Sequence, residues 1–271
     1  MLPYPQHHEG KFFVKIRRWL VDRGAIAVVF LGRGISMVKP GGHWGLTGDI
    51  EVCDEKFAHL PVRMPEDDNH PNSIVGGGEL NLLAGLELEK KLRAEGEFDP
   101  RLALHAYCFR SKYLKSIDGP SESLVMSDKY CDLGGHPGIV QVFNEDKWQS
   151  VADLPSNTNQ EIDNVFTEAL RRGIRNVAIV TVAVHAWRAN LMAQRHLSNQ
   201  EKPYHGAVTL QFYASENVLM EADPAKYGER CRAILGSKSF QRNLVLEQRG
   251  VNALLSGTYR SVQSATPAPK A

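Results

Sequence analysis

The sequence predicts an α/β protein, a three-layer α/β/α Rossmann-like build with a mostly parallel sheet, a long insertion after strand one and a helical C-terminal region. Three observations predict it. Short apolar, β-branched runs alternate with amphipathic helical stretches, the pattern of parallel strands joined by crossover helices. The run over residues 177–184 is almost wholly apolar and lies between two helical stretches, as a strand covered on both faces should. Polar clusters fall just after predicted strands, where open α/β sheets hold their ligands.

Taken in order, Phe12, Phe13, Ile16, Trp19 and Leu20 form a helical stripe suited to core packing. Residues 25–31 read as strand one and run into Gly32-Arg33-Gly34, where small residues let the backbone approach a ligand. Residues 36–73 are polar and carry Gly41-Gly42-His43-Trp44-Gly45 with Pro61, Pro65 and Pro71; a connection of that length reads as a lid-like insertion. Gly76-Gly77-Gly78-Glu79 opens a helix with Leu80, Leu83, Leu86 and Leu92 on one side. Residues 102–109 read as strand two. Ser121 is the expected N-cap of the helix begun by Pro120-Ser121-Glu122, and residues 139–143 read as strand three.

Past Pro155-Ser156-Asn157-Thr158, the residues Ile162, Val165, Phe166, Ala169 and Leu170 recur at helical spacing until Arg171, Arg172 and Gly173 close the helix. The strand over 177–184 then places His185 at its carboxyl end and Arg188 one turn into the next helix. Residues 206–214 make a further strand, and helix follows to about Leu255. Residues 1–260 are expected to form a single domain and residues 261–271, rich in Ser, Thr, Ala and Pro, a disordered tail.

Composition narrows the function classes. Lys+Arg 32 against Asp+Glu 31 gives a net charge of +1, so no global field draws nucleic acid or an anionic membrane. Cys53, Cys108, Cys131 and Cys231 are widely spaced, as reduced thiols and not as a zinc set. The apolar run over 25–31 is far shorter than the roughly 20 residues of a membrane span. A soluble, cytoplasmic protein is expected.

The ordered motifs are an apolar strand ending in glycine (Val28 to Gly34), the opening Gly76 to Glu79, Ser121-Glu122, Ser156-Asn157-Thr158 with Glu161 and Asn164, and Val180-Thr181 followed by His185 and Arg188. In this order the chain resembles the domain-of-unknown-function 218 family, with its YdcF-like, SanA-like and ElyC-like members, over about residues 25–197. It departs from many members in lacking an N-terminal membrane anchor and in the length of the 36–73 segment. The resemblance implies a Rossmann-like fold and, from YdcF-like members, S-adenosylmethionine binding.

The residues themselves suggest a site. His185 and Arg188 share a helix face and, with free amides at a helix start, suit a phosphate, sulfonate or carboxylate. Glu122 is expected to face His185 as the other half of an acid/base pair. Gly32, Gly34, Gly76, Gly77 and Gly78 are expected to admit the ligand, with Asn157, Thr158, Glu161 and Arg188 binding it. Thr158 and Glu161 also fit a capping box. His43 is a candidate in the insertion, His105 reads as a core histidine, and His7, His8, His196 and His205 as solvated or structural. There is no HExxH, GxSxG or Walker A motif, and no metal is expected. The expectation is an enzyme of group transfer or hydrolysis that binds an anionic or nucleotide-like small molecule, S-adenosylmethionine or a phosphorylated metabolite. The alternative is a non-catalytic binding or regulatory module of cell-envelope homeostasis.

Overall fold

The structure, a computed structural model, describes residues 24–37, 43–53, 61–62, 68–100, 120–135 and 158–259. The stripe from Phe12 to Leu20, the strands expected over 102–109 and 139–143, His105, Asn157 and the tail over 261–271 lie outside the described residues.

In chain order the elements are β1 (Ile26–Phe30), β2 (Ile35–Met37), β3 (Trp44–Leu46), β4 (Ile50–Cys53), β5 (Pro61–Val62), β6 (Ser73–Val75) and α1 (Gly78–Ala94). They continue as α2 (Glu122–Asp132), α3 (Thr158–Arg171), β7 (Asn176–Thr181), α4 (Ala183–Ser198), β8 (Thr209–Ala214), α5 (Ser215–Ala222), α6 (Pro224–Gly236) and α7 (Lys238–Leu255). The class is α/β. A parallel three-stranded sheet runs β1-β7-β8, with Val28 opposite Ala178 and Ile179 opposite Phe212. On the far side of β1, Ile26 N donates to Glu97 O at 2.6 Å and Asp99 N to Ile26 O at 2.8 Å, so the chain after α1 begins a further parallel pairing.

Successive strand residues point to opposite faces, and both faces of this sheet are packed. Val28, Phe30, Ala178 and Val180 join a core with Leu80, Leu86, Leu219 and Phe240. Ala27, Val29, Leu31, Val177 and Ile179 join another with Ile162, Phe166, Ala189 and Met192. Gly85 lets α1 sit directly on β1, because a Cβ there would lie 1.5 Å from Phe30 Cε1.

The strand expected over 177–184 is shorter. β7 ends at Thr181, and Val182 is already the N-cap of α4, so His185 stands in the first turn of a helix and not at a strand end. The physical reason is a distant one: Glu216 Oε2 accepts a hydrogen bond from Ala183 N at 2.7 Å, doing for α4 what the apolar Val182 cannot.

The segment read as a lid-like insertion carries strands. A second sheet runs β3-β2-β5-β4-β6, mostly antiparallel. It is tied to the C-terminal helices. Arg230 makes a two-pronged ion pair with Asp49 at 2.7 and 2.7 Å, Asp68 accepts from Ser239 N at 2.6 Å, and Asn243 Oδ1 accepts from Val75 N at 3.1 Å. Among the described residues, no helix is long and apolar enough to cross a membrane.

Candidate functional site

Parallel strands bring their carboxyl ends to one edge, and here the turns after β1 and β7 are met by carboxylates from the first turns of helices. Gly32 N donates to Glu161 Oε1 at 2.8 Å, Gly34 N to Glu122 Oε1 at 2.5 Å, and Ala183 N to Glu216 Oε2 at 2.7 Å. Carboxylates are favoured at such helix starts by the dipole and the unpaired amides. Asn81 of α1 stitches two strand ends together: its Nδ2 donates to Leu31 O at 2.7 Å, and its Oδ1 accepts from Ser215 Oγ at 2.8 Å.

The glycine opening of α1 belongs to the same edge. Gly77 has φ +82, and a Cβ there would fall 2.2 Å from Val182 Cγ1, so both conformation and space demand glycine. Thr47 Oγ1 accepts from Gly78 N at 2.9 Å. Arg33, between Gly32 and Gly34, donates through Nε to Gly76 O and through Nη2 to Val75 O, both at 3.0 Å. Burial holds its guanidinium below the usual arginine value, against the opposing pull of Glu247, Glu122 and Glu216.

At the α4 end, His185 is only 1 % exposed. Its Nδ1 lies 3.1 Å from Glu247 Oε1 of α7, and its Nε2 lies 3.1 Å from Thr158 Oγ1, the first residue of α3. Arg188 grips the same Glu247, Nε to Oε2 at 2.5 Å and Nη2 to Oε1 at 3.0 Å, and reaches Tyr259 Oη at 3.2 Å through Nη1. Gly250 makes that reach possible, since a Cβ there would lie 2.7 Å from Arg188 Cδ.

Burial pushes His185 down to about 4, against the raising effect of Glu247, so the ring is neutral near pH 7. Burial by itself raises Glu247. The hydrogen bonds and charges of His185 and Arg188 overcome it and hold the carboxyl well below the ordinary carboxylate range. A neutral imidazole has one N–H. An ionised Glu247 accepts it at Nδ1, which leaves Nε2 as the acceptor for the Thr158 hydroxyl. With Nδ1–H given to the ionised Glu247 at 3.1 Å in preference to accepting from Arg188 Nη2 at 3.3 Å, the chain of donors is Thr158 Oγ1–H to His185 Nε2, then His185 Nδ1–H to Glu247.

The α5 end differs. Glu216 is fully buried, its Oε1 has no hydrogen-bond partner among the described residues, and burial pushes its carboxyl up to about 7. Asn164 Nδ2, one turn past Glu161, is also buried without a hydrogen-bond partner among the described residues.

The structure thus gathers Gly32, Gly34, Gly76, Gly77, Gly78, Glu122, Thr158, Glu161, His185 and Arg188 on or beside one edge, but reassigns the roles of Glu122, Arg188 and Thr158. Glu122 reaches the backbone of Gly34, and the carboxylate hydrogen-bonded to His185 is Glu247. Arg188, expected to hold an anion, is engaged by Glu247, because a buried carboxylate needs its cation close by. Thr158 opens α3 itself and turns its hydroxyl to His185, so it is not the cap that a capping box requires. His43 lines a different cleft, of about 220 Å³, with Trp44, Glu79, Asp128, Lys129 and Asp132 between β3, α1 and α2. His196 is structural, joined to Tyr204 Oη at 3.0 Å and Asn159 Oδ1 at 3.0 Å.

Sequence reasoning missed Arg33, Asn81, Glu216 and Glu247. Arg33 sits in a visible Gly-Arg-Gly turn, and Ser215-Glu216 repeats after β8 the pattern of Ser121-Glu122. Glu247 has no local signal, since its partner His185 is 62 residues away.

Among the described residues the edge carries Glu122, Glu161 and Glu247 against Arg33 and Arg188, an excess of carboxylates even without Glu216, whose carboxyl is held toward its neutral form. No group of three or more His, Cys, Asp or Glu side chains among the described residues is disposed to hold a metal ion. No family model matches the chain, and no curated protein or solved structure matches it significantly. What the arrangement can do is acid/base chemistry: a hydroxyl, a neutral imidazole and an ionised carboxylate in series can move a proton off the hydroxyl.

Proposed function

We propose that the chain is a cytoplasmic, three-layer Rossmann-like protein of the domain-of-unknown-function 218 type that holds a small molecule at the carboxyl edge of β1, β7 and β8. It acts there by group transfer or hydrolysis, with His185 as the acid/base. The observation that carries this reading is the series Thr158–His185–Glu247, set beside the Gly32-Arg33-Gly34 turn. Packed cores on both faces of the parallel sheet support the three-layer build.

Charge selects among ligands. An edge with more carboxylates than guanidinium groups favours an uncharged or cationic molecule, so S-adenosylmethionine with its sulfonium fits better than a phosphorylated metabolite. Thermal unfolding in the presence of S-adenosylmethionine, adenosine and inorganic phosphate tests this. A bound nucleoside at 100 times its dissociation constant stabilises the fold by about 2.7 kcal/mol, and phosphate should not. A shift with phosphate alone would sink the charge argument; no shift with any of the three would sink the nucleoside assignment.

A second reading is a binding or regulatory module without chemistry. It is favoured by how completely Thr158, His185, Glu247 and Arg188 satisfy one another, as a structural network does. Ligand binding that survives His185→Ala without any turnover by the unmodified chain would support it.

A further inference from the structure

We infer that Thr158 is a nucleophile and that the chain is a hydrolase of small, uncharged or cationic carboxylic esters, working through an acyl–Thr158 intermediate. This rests on the carboxyl edge being a site, and it commits that reading to one of its two reaction classes.

Four observations converge on Thr158. Its Oγ1 lies 3.1 Å from His185 Nε2, the ring nitrogen left unprotonated by the bond from Nδ1 to Glu247. Thr158 is partly exposed, whereas His185 is buried behind it. It opens a helix of 14 residues, whose positive end stabilises an oxyanion formed at that point. The imidazole is anchored by Glu247, itself fixed by the two-pronged grip of Arg188, so its orientation is set before a substrate arrives. A merely structural threonine needs none of the Glu247–Arg188 apparatus behind its histidine.

The step balances without any reagent but water. Thr158 Oγ attacks the ester carbonyl carbon while its proton passes to His185 Nε2, and the resulting imidazolium is stabilised by Glu247. As the bond from the acyl carbon to the alcohol oxygen breaks, that proton leaves with the alcohol. Water then attacks the acyl carbon and gives a proton to His185 Nε2; the bond from the acyl carbon to Thr158 Oγ breaks, the acid leaves, and His185 returns the proton to Thr158 Oγ. Phosphate esters are disfavoured because Glu122, Glu161 and Glu247 outnumber Arg33 and Arg188 at the same edge.

The test uses the full chain with p-nitrophenyl acetate, following p-nitrophenol release and the intact mass. A burst of p-nitrophenol is expected, with one acetyl group gained and mapped to Thr158. Thr158→Ser keeps the hydroxyl and should keep the adduct, while Thr158→Ala should lose both burst and adduct with its thermal unfolding close to that of the unmodified chain. Glu247 is a positioning residue. Glu247→Gln should lower the acetylation rate by 10²-fold or more, on the order of the loss seen when a relay carboxylate is neutralised, and should change its pH profile. An adduct on lysine, or hydrolysis by Thr158→Ala at the original rate, would overturn the covalent route. In that second case, loss of turnover in His185→Ala would still leave His185 as the acid/base of the site, which separates the two failures. Absence of any adduct or burst overturns the inference.

Discussion

Two helix mouths at the same sheet edge meet the same physics and reach opposite states. α4 and α5 each follow a parallel strand, and each buries a titratable group in its first turn, His185 and Glu216. Burial drives both toward their neutral forms. At the α4 mouth the imidazole is bonded at both nitrogens, and the charge sits one step back, on Glu247 and Arg188. At the α5 mouth the carboxyl keeps one oxygen without a partner among the described residues and is held by backbone groups, those of Ala183 and of Glu216 itself. A buried group becomes useful for moving protons when a fixed ion stands behind it. Glu216, which feels Arg33 as a charge and has no side-chain ion pair among the described residues, titrates in the neighbourhood of pH 7.

The strongest way to break the contrast is to remove the cation behind the α4 mouth. Arg188→Ala strands a mostly buried Glu247 carboxylate and should cost about 3–5 kcal/mol in urea unfolding, the usual penalty for an unpaired buried ion. A loss below about 1 kcal/mol would place Glu247 in solvent and dissolve the comparison.

The pH dependence sharpens it. His185 falls from 6.5 to about 4, so between those values the unfolded chain binds the extra proton and stability is lost as pH falls, by about 3 kcal/mol at most. Glu216 rises from 4.5 to about 7, so there the folded chain binds the extra proton and stability is lost as pH rises, by a similar amount. The groups facing Glu216 that bear on its titration are Arg33, which lowers it, and Asp49, which raises it. The two mouths therefore offset each other between about pH 4.5 and 6.5. Glu216→Gln can keep the acceptor for Ala183 N, and the stability difference between it and the unmodified chain cancels His185. That difference should grow in the variant's favour by about 3 kcal/mol from pH 4.5 to 7. A difference that stays flat with pH would mean that Glu216 titrates as an ordinary carboxyl.

The smallest effect belongs to the outermost link. Thr158→Val removes one hydroxyl from the ring nitrogen of His185 and should cost about 1 kcal/mol in chemical unfolding. A larger loss would make the hydroxyl a structural group and weaken its reading as a nucleophile.

Much of this was legible locally. The alternation of apolar runs and amphipathic helices identified β1, β7 and β8 and the helices between them, because burial of one face imposes a period that composition reveals. The Ser121 cap, the glycine opening of α1 and the pairing of His185 with Arg188 on one helix face also follow from spacing. The strands in residues 36–73 were less visible: they are two to four residues long, too short to show a period.

The sequence by itself determined the α/β class, the strands of the parallel sheet and the residue types gathered at its carboxyl edge, since each depends on neighbours a few positions apart. Only the tertiary structure decided the partners. It gave His185 to Glu247, engaged Arg188 with the same carboxylate, turned Glu122 and Glu161 onto the glycine turn, and started α4 early through Glu216. Those choices are made by buried charges and amides that must be satisfied wherever a partner stands, and the partner here is often a helix's length or more away along the chain.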